Sequence, residues 1–203
     1  MPEEIYTYDW FSQHISNWQQ FLGPLAGKPS LRFLEIGSFE GRSACWLLRN
    51  ILQHESSRLT CVDLFLDQLG GDDDLMPRRS MPNAAFDHNV ALTGARDRVT
   101  KIRGASEHVL KQFAAESFDF IYVDGSHHAP YVLTDAVLAW RCLKTGGLLG
   151  FDDYRWGQGD MAERDRPQLA IDAFLSVFGD LLEVIHRDEQ VFVRKLRALE
   201  VER

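Results

Sequence analysis

Two kinds of periodicity alternate along the chain from residue 31 onward. Short apolar runs predict strands, and between them apolar residues recur every three or four positions, which predicts helices. The predicted strands cover residues 32–36, 59–63, 99–102, 118–123, 148–151, 182–185 and 191–194. The predicted helices cover residues 41–53, 84–92, 106–115, 131–142 and 168–178. This order is typical of a parallel sheet covered by helices, and the last two strands predict a closing hairpin.

Two segments do not follow this order. Residues 6–22 carry aromatic and apolar side chains at helical spacing, which predicts a helix within an N-terminal extension of residues 1–30. Residues 66–82 have no periodicity and contain two glycines, three consecutive aspartates and two prolines. A loop of this length within a compact domain predicts either a lid or a disordered excursion. Since a chain of 203 residues can bury one substantial core, we expect residues 1–203 to form a single domain.

The loop after the first predicted strand has the spacing of a nucleoside-binding turn. Gly37 allows the backbone to turn sharply and lets a ligand approach the main chain, because it has no Cβ. Gly41 lets the next helix pack close to the strand, and the start of that helix presents unpaired N–H groups. Glu35 stands where the dinucleotide-binding fingerprint has a glycine. A carboxylate at this position favours a ligand with a cationic group or hydroxyl groups over a pyrophosphate.

Candidate ligand-binding residues also follow the second and third predicted strands. Asp63 ends the second strand, where an acid accepts hydrogen bonds from the ribose hydroxyls of a nucleoside. Taken alone, Asp63 is better explained as a turn cap, but the upstream glycine loop favours the nucleoside. Ser106 follows the third strand, where the base of such a ligand would lie. Its hydroxyl is equally suited to cap the next helix.

These residues resemble those of the class I S-adenosylmethionine-dependent methyltransferases. The run Glu35-Ile36-Gly37-Ser38-Phe39-Glu40-Gly41 is similar to their first cofactor motif, and Asp63 is similar to the acid that holds the ribose. The resemblance extends from Leu31 to about Lys195. It implies a Rossmann-like three-layer α/β/α sandwich with a seven-stranded, mostly parallel sheet whose last strand is antiparallel. It also implies that S-adenosylmethionine is bound by Glu35, Gly37, Ser38, Gly41, Ser43, Asp63, Leu64, Ala105, Ser106 and Asp124.

Carboxylates and a histidine follow the fourth and fifth predicted strands. Asp124 ends one strand and Asp152 and Asp153 end its neighbour, so parallel pairing places all three at one edge of the sheet. Carboxylates repel one another unless a cation or protons intervene, and oxygen ligands suit Mg²⁺, Mn²⁺ or Ca²⁺. The alternative is that these aspartates cap a helix or open a loop. His127, close to Asp124, is a candidate proton acceptor, although a single histidine more often belongs to a core or a helix cap.

The run from Asp124 to Tyr154 resembles a subgroup of these enzymes, the metal-dependent O-methyltransferases of small molecules and sugars. The matching residues are Asp124, His127, Asp135, Gly146-Gly147 and Asp152-Asp153-Tyr154. The resemblance implies that Asp124, Asp152 and Asp153 bind Mg²⁺. It further implies that Asp124 and His127 are catalytic, with His127 as the base, and that the acceptor is a hydroxylated small molecule. The chain departs from the subgroup at Ala129, where an aromatic residue is common, and this affects the acceptor pocket.

Charge and composition narrow the range of partners. Thirty acidic residues against 22 basic ones give a formal charge of −8, which argues against a nucleic-acid partner. Charged residues interrupt the apolar stretches, so no membrane span is expected. The chain opens with acidic residues instead of a basic, apolar leader, and its three cysteines are widely spaced. Both features favour a cytoplasmic protein without a disulfide framework. The aromatic N-terminal segment leaves a homo-oligomer open.

Three other functions remain open. A nicotinamide-dependent oxidoreductase needs a third glycine in the first loop and usually a lysine four residues after a tyrosine, whereas Gln158 follows Tyr154 at that distance. A cofactor-binding protein without transfer activity would need the glycine loop but not the acids and the histidine. A metal-dependent hydrolase would use the acids and His127 but would leave the nucleoside-type loop without a role.

Overall fold

The predicted α/β fold is confirmed. The structure, a computed structural model, describes residues 3–71 and 76–198. The strands in this part of the chain are β1 (Arg32–Ile36), β2 (Arg58–Asp63), β3 (Val99–Arg103), β4 (Phe118–Val123), β5 (Leu143–Phe151), β6 (Leu182–Arg187) and β7 (Val191–Lys195). The helices there are α1 (Ile15–Leu22), α2 (Arg42–Asn50), α3 (Pro82–Leu92), α4 (Ser106–Val109), α5 (Ala129–Cys142) and α6 (Pro167–Val177). The strands form a seven-stranded sheet in the Rossmann-like order β3-β2-β1-β4-β5-β7-β6, flanked by the helices.

Two strands match their predicted bounds at both ends, β1 and β4. Their side chains are buried on both faces, apart from Arg32 at the start of β1 and the half-buried Asp119 in β4. Strands covered on both faces read as continuous apolar runs, and such runs have clear ends in the sequence. None of the helices in the described part of the chain is long and apolar enough to cross a membrane.

Contacts divide the chain into two compact units. The first unit comprises the described residues of 1–31 and 38–104, and the second comprises those of 32–37 and 105–203. In the second unit β1 pairs in parallel with β4 and β4 with β5, whereas β7 is antiparallel to both β5 and β6. The antiparallel last strand and the closing hairpin are thereby confirmed, while the single domain stays a prediction. The aromatic core of this unit comprises Phe33, Phe120, Trp140, Phe151, Phe174 and Phe192.

The register of the second unit places the ends of two strands side by side. Val123 of β4 lies opposite Phe151 of β5. The backbone N–H of Asp124 donates to the carbonyl oxygen of Ile36 at 2.8 Å, and that of Asp152 donates to the carbonyl oxygen of Val123 at 3.1 Å. The acidic residues that follow β4 and β5 therefore begin at the same edge of the sheet, as the sequence predicts.

The N-terminal helix of the first unit is shorter than predicted. A single 3₁₀ turn at Ser12–His14 precedes α1, and residues 5–10, which we call the N-terminal strap, are not helical. The strap contains three aromatic residues and one Thr, which are weak helix formers. Its backbone N–H groups bond instead to the side chains of Glu40 and Asn89. The strap is therefore held by contacts with the rest of the unit and does not form a helix.

The segment 66–82 folds back on itself where it is described. Leu69 and Ser80 exchange two backbone hydrogen bonds of 3.0 and 2.8 Å. The N–H of Gly71 donates to the carbonyl oxygen of Met76 at 2.7 Å. The acidic tip, Asp72–Asp74, lies outside the described residues. The lid function of this segment stays a prediction.

Two elements of the second unit differ from their predicted bounds by five or more residues. The helix predicted over 106–115 is a single α-helical turn, α4, followed by a 3₁₀ turn at Leu110–Gln112. β5 begins at Leu143, five residues earlier than predicted, and directly follows α5. A Cβ on Gly147 would lie 2.9 Å from the carbonyl oxygen of Asp119. Gly147 therefore lets the chain pass close to β4 within a strand, although the Gly146-Gly147 pair in the sequence indicates a loop there.

Candidate active site

The predicted site residues lie in both units. In the second unit, the loops that follow β1 and β4 meet at Gly37. This residue has a φ of +85°, and a Cβ built on it would lie 1.9 Å from the carbonyl oxygen of Asp124. Only glycine fits such an approach. Glu35, two residues earlier in β1, is completely buried. Two residues predicted to bind the donor, Gly37 and Asp124, are thus in direct contact.

In the first unit, a turn from Ser38 to Gly41, which we call the glycine turn, is held against the end of β2. The N–H of Gly41 donates to the Ser38 carbonyl oxygen at 2.7 Å. Phe39, with a φ of +46°, donates its N–H to Asp63 Oδ2 at 2.9 Å, and Phe65 donates to Oδ1 at 2.7 Å. These bonds orient the Asp63 carboxylate and leave each oxygen a further lone pair. The structure therefore joins the predicted ribose-binding acid to the glycine turn.

The Ser38 hydroxyl is able to form a hydrogen bond with a polar group of a ligand. The residue is 3% exposed, and its hydroxyl oxygen has no hydrogen-bond partner among the described residues. A buried hydroxyl without a partner costs about 1–3 kcal/mol, so a ligand group that bonds to it gains that energy. The other predicted donor-binding residues of this unit differ in exposure, since Ser43 is buried on α2 whereas Leu64 is 54% exposed.

Ala105 and Ser106 stand at the start of α4 in the second unit. The Ser106 side chain is hydrogen-bonded to Asp135, a buried residue of α5. Burial raises the pKa of the Asp135 carboxyl to about 6, and the Ser106 hydrogen bond acts in the opposite direction. The structure thus gives Ser106 a partner within the fold. Its contact with the base of a ligand stays a prediction.

The pKa of Asp135 predicts how stability depends on pH. The native carboxyl keeps its proton up to about pH 6, whereas its ordinary pKa is 3.8. Between these values the native state binds more protons than the unfolded state, so the free energy of unfolding falls as the pH rises. The shift corresponds to a loss of about 3 kcal/mol. Urea unfolding from pH 4 to 8 is expected to show this loss in the wild type but not in Asp135→Asn. Parallel pH profiles would contradict it.

The acids after β4 and β5 surround the hydroxyl of Tyr122, which donates to Asp152 Oδ2 at 2.5 Å. Burial raises the pKa of this phenol well above its usual value, as do the charges of Asp152, Asp124 and Asp153, so Tyr122 stays protonated. Gln190, also buried, donates to the Tyr122 hydroxyl at 2.9 Å and to Asp152 Oδ1 at 3.3 Å. The predicted convergence of the acids is present. Tyr122 and Gln190 are hydrogen-bonded to this group of acids, and the sequence did not predict them.

Hydrogen-bond donors of the protein already bond to one of these carboxylates, Asp152. Asp152 accepts hydrogen bonds from Tyr122, from Gln190 and from the backbone N–H of Asp153 at 2.9 Å. Within the part of the chain that the structure describes, no group of three or more His, Cys, Asp or Glu side chains could hold a metal ion. N–H and O–H groups of the protein therefore bond to carboxylate oxygens that the sequence assigns to Mg²⁺. The Mg²⁺ ion stays a prediction.

His127 forms a hydrogen-bonded pair with Asp153. Its Nε2 lies 2.8 Å from Asp153 Oδ2, and its ring centre lies 4.2 Å from that of Trp156. Because the carboxylate accepts a hydrogen bond from Nε2, the neutral ring carries its proton there and leaves Nδ1 as an acceptor. The His127 side chain is 44% exposed, so this nitrogen belongs to an accessible ring. An accessible histidine oriented by a carboxylate has the arrangement of a general base.

Two neighbours of this pair make different contacts. Tyr154 is buried, and its hydroxyl donates to Asp172 Oδ1 at 2.9 Å and accepts from Arg187 Nε at 3.0 Å. His128 places its Nδ1 3.3 Å from Asp165 Oδ1 on the surface. Tyr154 thus serves the fold, and His128 offers a comparison for His127 because it is an adjacent histidine paired with a different aspartate.

A family model described as "Methyltransferase domain" matches residues 34–154. The match includes the glycine turn, Asp63 and the acids Asp124, Asp152 and Asp153. It covers more than half of the chain. With its sheet order and these motifs, the chain belongs to this methyltransferase family, within the class I S-adenosylmethionine-dependent fold. A search of curated proteins finds no match.

Several solved structures share this fold. An O-methyltransferase from Bacillus cereus in complex with SAH is 16% identical with a TM-score of 0.66, over 94% of this chain and 84% of that one. Cofactor-bound Rv0187 from MTB is 19% identical with a TM-score of 0.68, over 97% and 85%. SAH-bound methyltransferase PaMTH1 from Podospora anserina is 22% identical with a TM-score of 0.53, over 81% and 71%. At these identities the similarity establishes the fold alone.

Proposed function

We propose that this protein transfers the methyl group of S-adenosylmethionine to a hydroxyl group of a small molecule. The observation that carries the proposal is the His127–Asp153 pair on a methyltransferase fold. Bound S-adenosylmethionine supplies a methyl group that is already activated on a sulfonium sulfur. A hydroxyl group becomes a good nucleophile only when it loses its proton, and His127 is the accessible base that takes it.

His127 accepts the proton at Nδ1 while its Nε2 stays hydrogen-bonded to Asp153. The Asp153 carboxylate orients the ring and stabilises the imidazolium that forms. The acceptor oxygen bonds to the methyl carbon as the carbon–sulfur bond breaks. The products are therefore the methyl ether, S-adenosylhomocysteine and a proton held by His127. The ring of Trp156, packed on His127, offers an apolar surface to the acceptor.

Four of the residues predicted to bind the donor are kept in this proposal. In the first unit these are Ser38, whose buried hydroxyl has no partner in the described part of the chain, and Asp63, whose oxygens retain lone pairs. In the second unit they are Gly37 and Asp124, which meet at the end of β1 and β4. Both pairs are held by backbone hydrogen bonds, so they are positioned before a ligand arrives.

A small acceptor is favoured over nucleic acid. The formal charge of the chain is −8, and the acids Asp124, Asp152 and Asp153 lie together at the end of β4 and β5. A phosphate backbone would be repelled by such surroundings, whereas a neutral hydroxylated molecule would not.

Methyl transfer can be tested with a panel of hydroxylated metabolites and, separately, with RNA. Each mixture contains the protein and S-adenosylmethionine, and mass spectrometry measures both the methylated product and S-adenosylhomocysteine. We expect one or more small hydroxylated compounds to gain a methyl group with equimolar S-adenosylhomocysteine. Methylation of RNA with no reaction of any small molecule would contradict the proposal.

The same assay tests the predicted divalent cation. Because Asp152 and Asp153 are hydrogen-bonded to protein groups, we expect turnover to persist after dialysis against excess chelator. A loss of turnover that Mg²⁺ restores, and K⁺ does not, would establish the cation and would require these side chains to rearrange. In that case Asp152→Ala should abolish the Mg²⁺ response while S-adenosylhomocysteine still binds.

A further inference from the structure

Glu40 is a buried carboxylate within the glycine turn that joins it to two distant segments. The residue is 1% exposed. Thr7 donates its backbone N–H to Glu40 Oε2 at 2.6 Å and its hydroxyl to Oε1 at 2.6 Å. The Ser80 hydroxyl donates to Oε1 at 2.5 Å. Hydrogen bonds to an ionised acceptor are about twice as strong as neutral ones. One side chain therefore fastens both the N-terminal strap and the segment 66–82 to the turn.

Asn89 of α3 adds a second connection between the strap and the glycine turn. Its Nδ2 donates to the carbonyl oxygens of Glu40 and of Ile5, both at 2.8 Å. Its Oδ1 accepts the N–H of Ile5 at 2.7 Å. Asn89 is completely buried and uses both amide hydrogens and its oxygen in these bonds. The strap is therefore attached to the turn at both Ile5 and Thr7.

The strap and the segment 66–82 also bond directly to each other. The Tyr8 hydroxyl accepts the N–H of Arg78 at 2.7 Å and donates to the Arg78 carbonyl oxygen at 2.9 Å. The Tyr8 ring stacks on Trp10 with 4.8 Å between ring centres, and Trp10 lies 5.2 Å from Phe39, the neighbour of Glu40. The described parts of both segments thus form one connected layer on the glycine turn.

We infer that Glu40 is a positioning residue that couples this layer to donor binding. The same turn carries the unpaired Ser38 hydroxyl, and Phe39 within it is bonded to Asp63. Glu40 contacts the layer and not the proposed donor-binding groups, so it acts through the conformation of the turn. Coupling is reciprocal, so the donor must stabilise the layer by the same factor by which the layer tightens the donor. The inference rests on the proposed function in one respect only, namely that the ligand of the glycine turn is S-adenosylmethionine.

The substitution Glu40→Gln keeps the shape of the side chain but not its bonding. A glutamine amide has one oxygen and one NH₂ group, so its nitrogen must face either the Thr7 N–H, which can only donate, or the Thr7 and Ser80 hydroxyls, which must then turn to accept from it. We expect the dissociation constant of S-adenosylhomocysteine to rise about 10-fold, within the range typical of coupled sites. The double variant Thr7→Val with Ser80→Ala leaves Glu40 in place and removes only hydroxyl donors of the layer. It should weaken binding in the same direction.

Two measurements separate coupling from a local effect on the turn. Titration calorimetry gives the S-adenosylhomocysteine affinity of each variant, and hydrogen exchange with mass spectrometry, without ligand, follows residues 5–10 and 76–80. We expect faster exchange in both segments for Glu40→Gln and for the double variant. Glu183→Gln is the matched control, because it removes an exposed carboxylate that pairs with Arg194 in the second unit. It should leave exchange and affinity unchanged.

Two results would overturn the inference. One is wild-type exchange of both segments in Glu40→Gln. The other is weakened binding in Glu40→Gln with wild-type binding in the double variant, because Glu40 would then support the turn alone. If Glu40→Gln does not fold, the double variant decides by its affinity and exchange. If the wild type does not bind S-adenosylhomocysteine, the proposed function fails, and hydrogen exchange still decides whether Glu40 holds the layer.

Discussion

Replacing Gly37 with alanine is expected to abolish donor binding and to lower the free energy of unfolding by more than about 3 kcal/mol. The added Cβ would lie 1.9 Å from the carbonyl oxygen of Asp124 and 2.4 Å from its carbonyl carbon. Both are backbone atoms of a residue whose N–H is bonded to Ile36 at 2.8 Å, so the chain cannot yield without disturbing the β1–β4 pairing. The φ of +85° costs alanine roughly 1–2 kcal/mol more. Urea unfolding and calorimetric titration with S-adenosylhomocysteine measure the two effects.

Gly146→Ala is the matched control for this substitution. Gly146 has nearly the same φ, +83°, but a Cβ on it would have nothing within 4 Å. Gly146→Ala therefore has only the same backbone cost of roughly 1–2 kcal/mol and should keep its donor affinity. Equal losses of stability in the two variants would show that the contact with Asp124 is unimportant.

Replacing His127 with asparagine is expected to lower turnover by about 10²–10⁴-fold, the range for loss of a general base. Asparagine keeps a polar group at this position but cannot take a proton from the acceptor. The affinity for S-adenosylhomocysteine should stay within about two-fold, because His127 is not among the residues proposed to bind the donor. Steady-state kinetics and calorimetry measure the two quantities independently.

His128→Asn and Asp153→Asn complete the test. His128 is paired with Asp165 in an exposed contact, and such pairs contribute little, so this variant should keep wild-type turnover. Asp153→Asn should lower turnover less than His127→Asn, because the base remains and loses only its orienting carboxylate. Wild-type turnover in His127→Asn, or equal losses in the variants of both histidines, would rule out the assigned base.

The strands could be predicted from the sequence because burial on both faces leaves continuous apolar runs. β1 and β4 have the predicted bounds for this reason. The strap could not, because the helical spacing of residues 6–22 rests mainly on residues after the strap, while the backbone of the strap bonds to side chains more than 30 residues away. The periodicity of neighbouring residues gives no information about contacts between residues that are far apart in the sequence. The same limitation applies to β5, where Gly146-Gly147 indicates a loop but the strand passes through both.

The positions of site residues at strand ends could be predicted from the sequence. The hydrogen bonds between their side chains could not. Parallel pairing alone brings Asp124 and Asp152 to one edge. Tyr122, by contrast, reads as one more buried residue of β4, and Gln190 as part of a hairpin. A signal was available, since Tyr122 lies two residues before Asp124 and alternate strand residues share a face. The hydrogen bond from Tyr122 to Asp152 spans 30 residues and requires the folded chain.

Transfer of an isotopically labelled methyl group tests the central claim most directly. S-adenosylmethionine labelled in its methyl group is incubated with the protein and a reactive acceptor, and mass spectrometry and NMR locate the label in the product. We predict the label on an oxygen atom of the acceptor, with one S-adenosylhomocysteine formed for each methyl transferred. Label on a nitrogen or carbon atom, or no S-adenosylhomocysteine with any acceptor of the panel, would contradict the account.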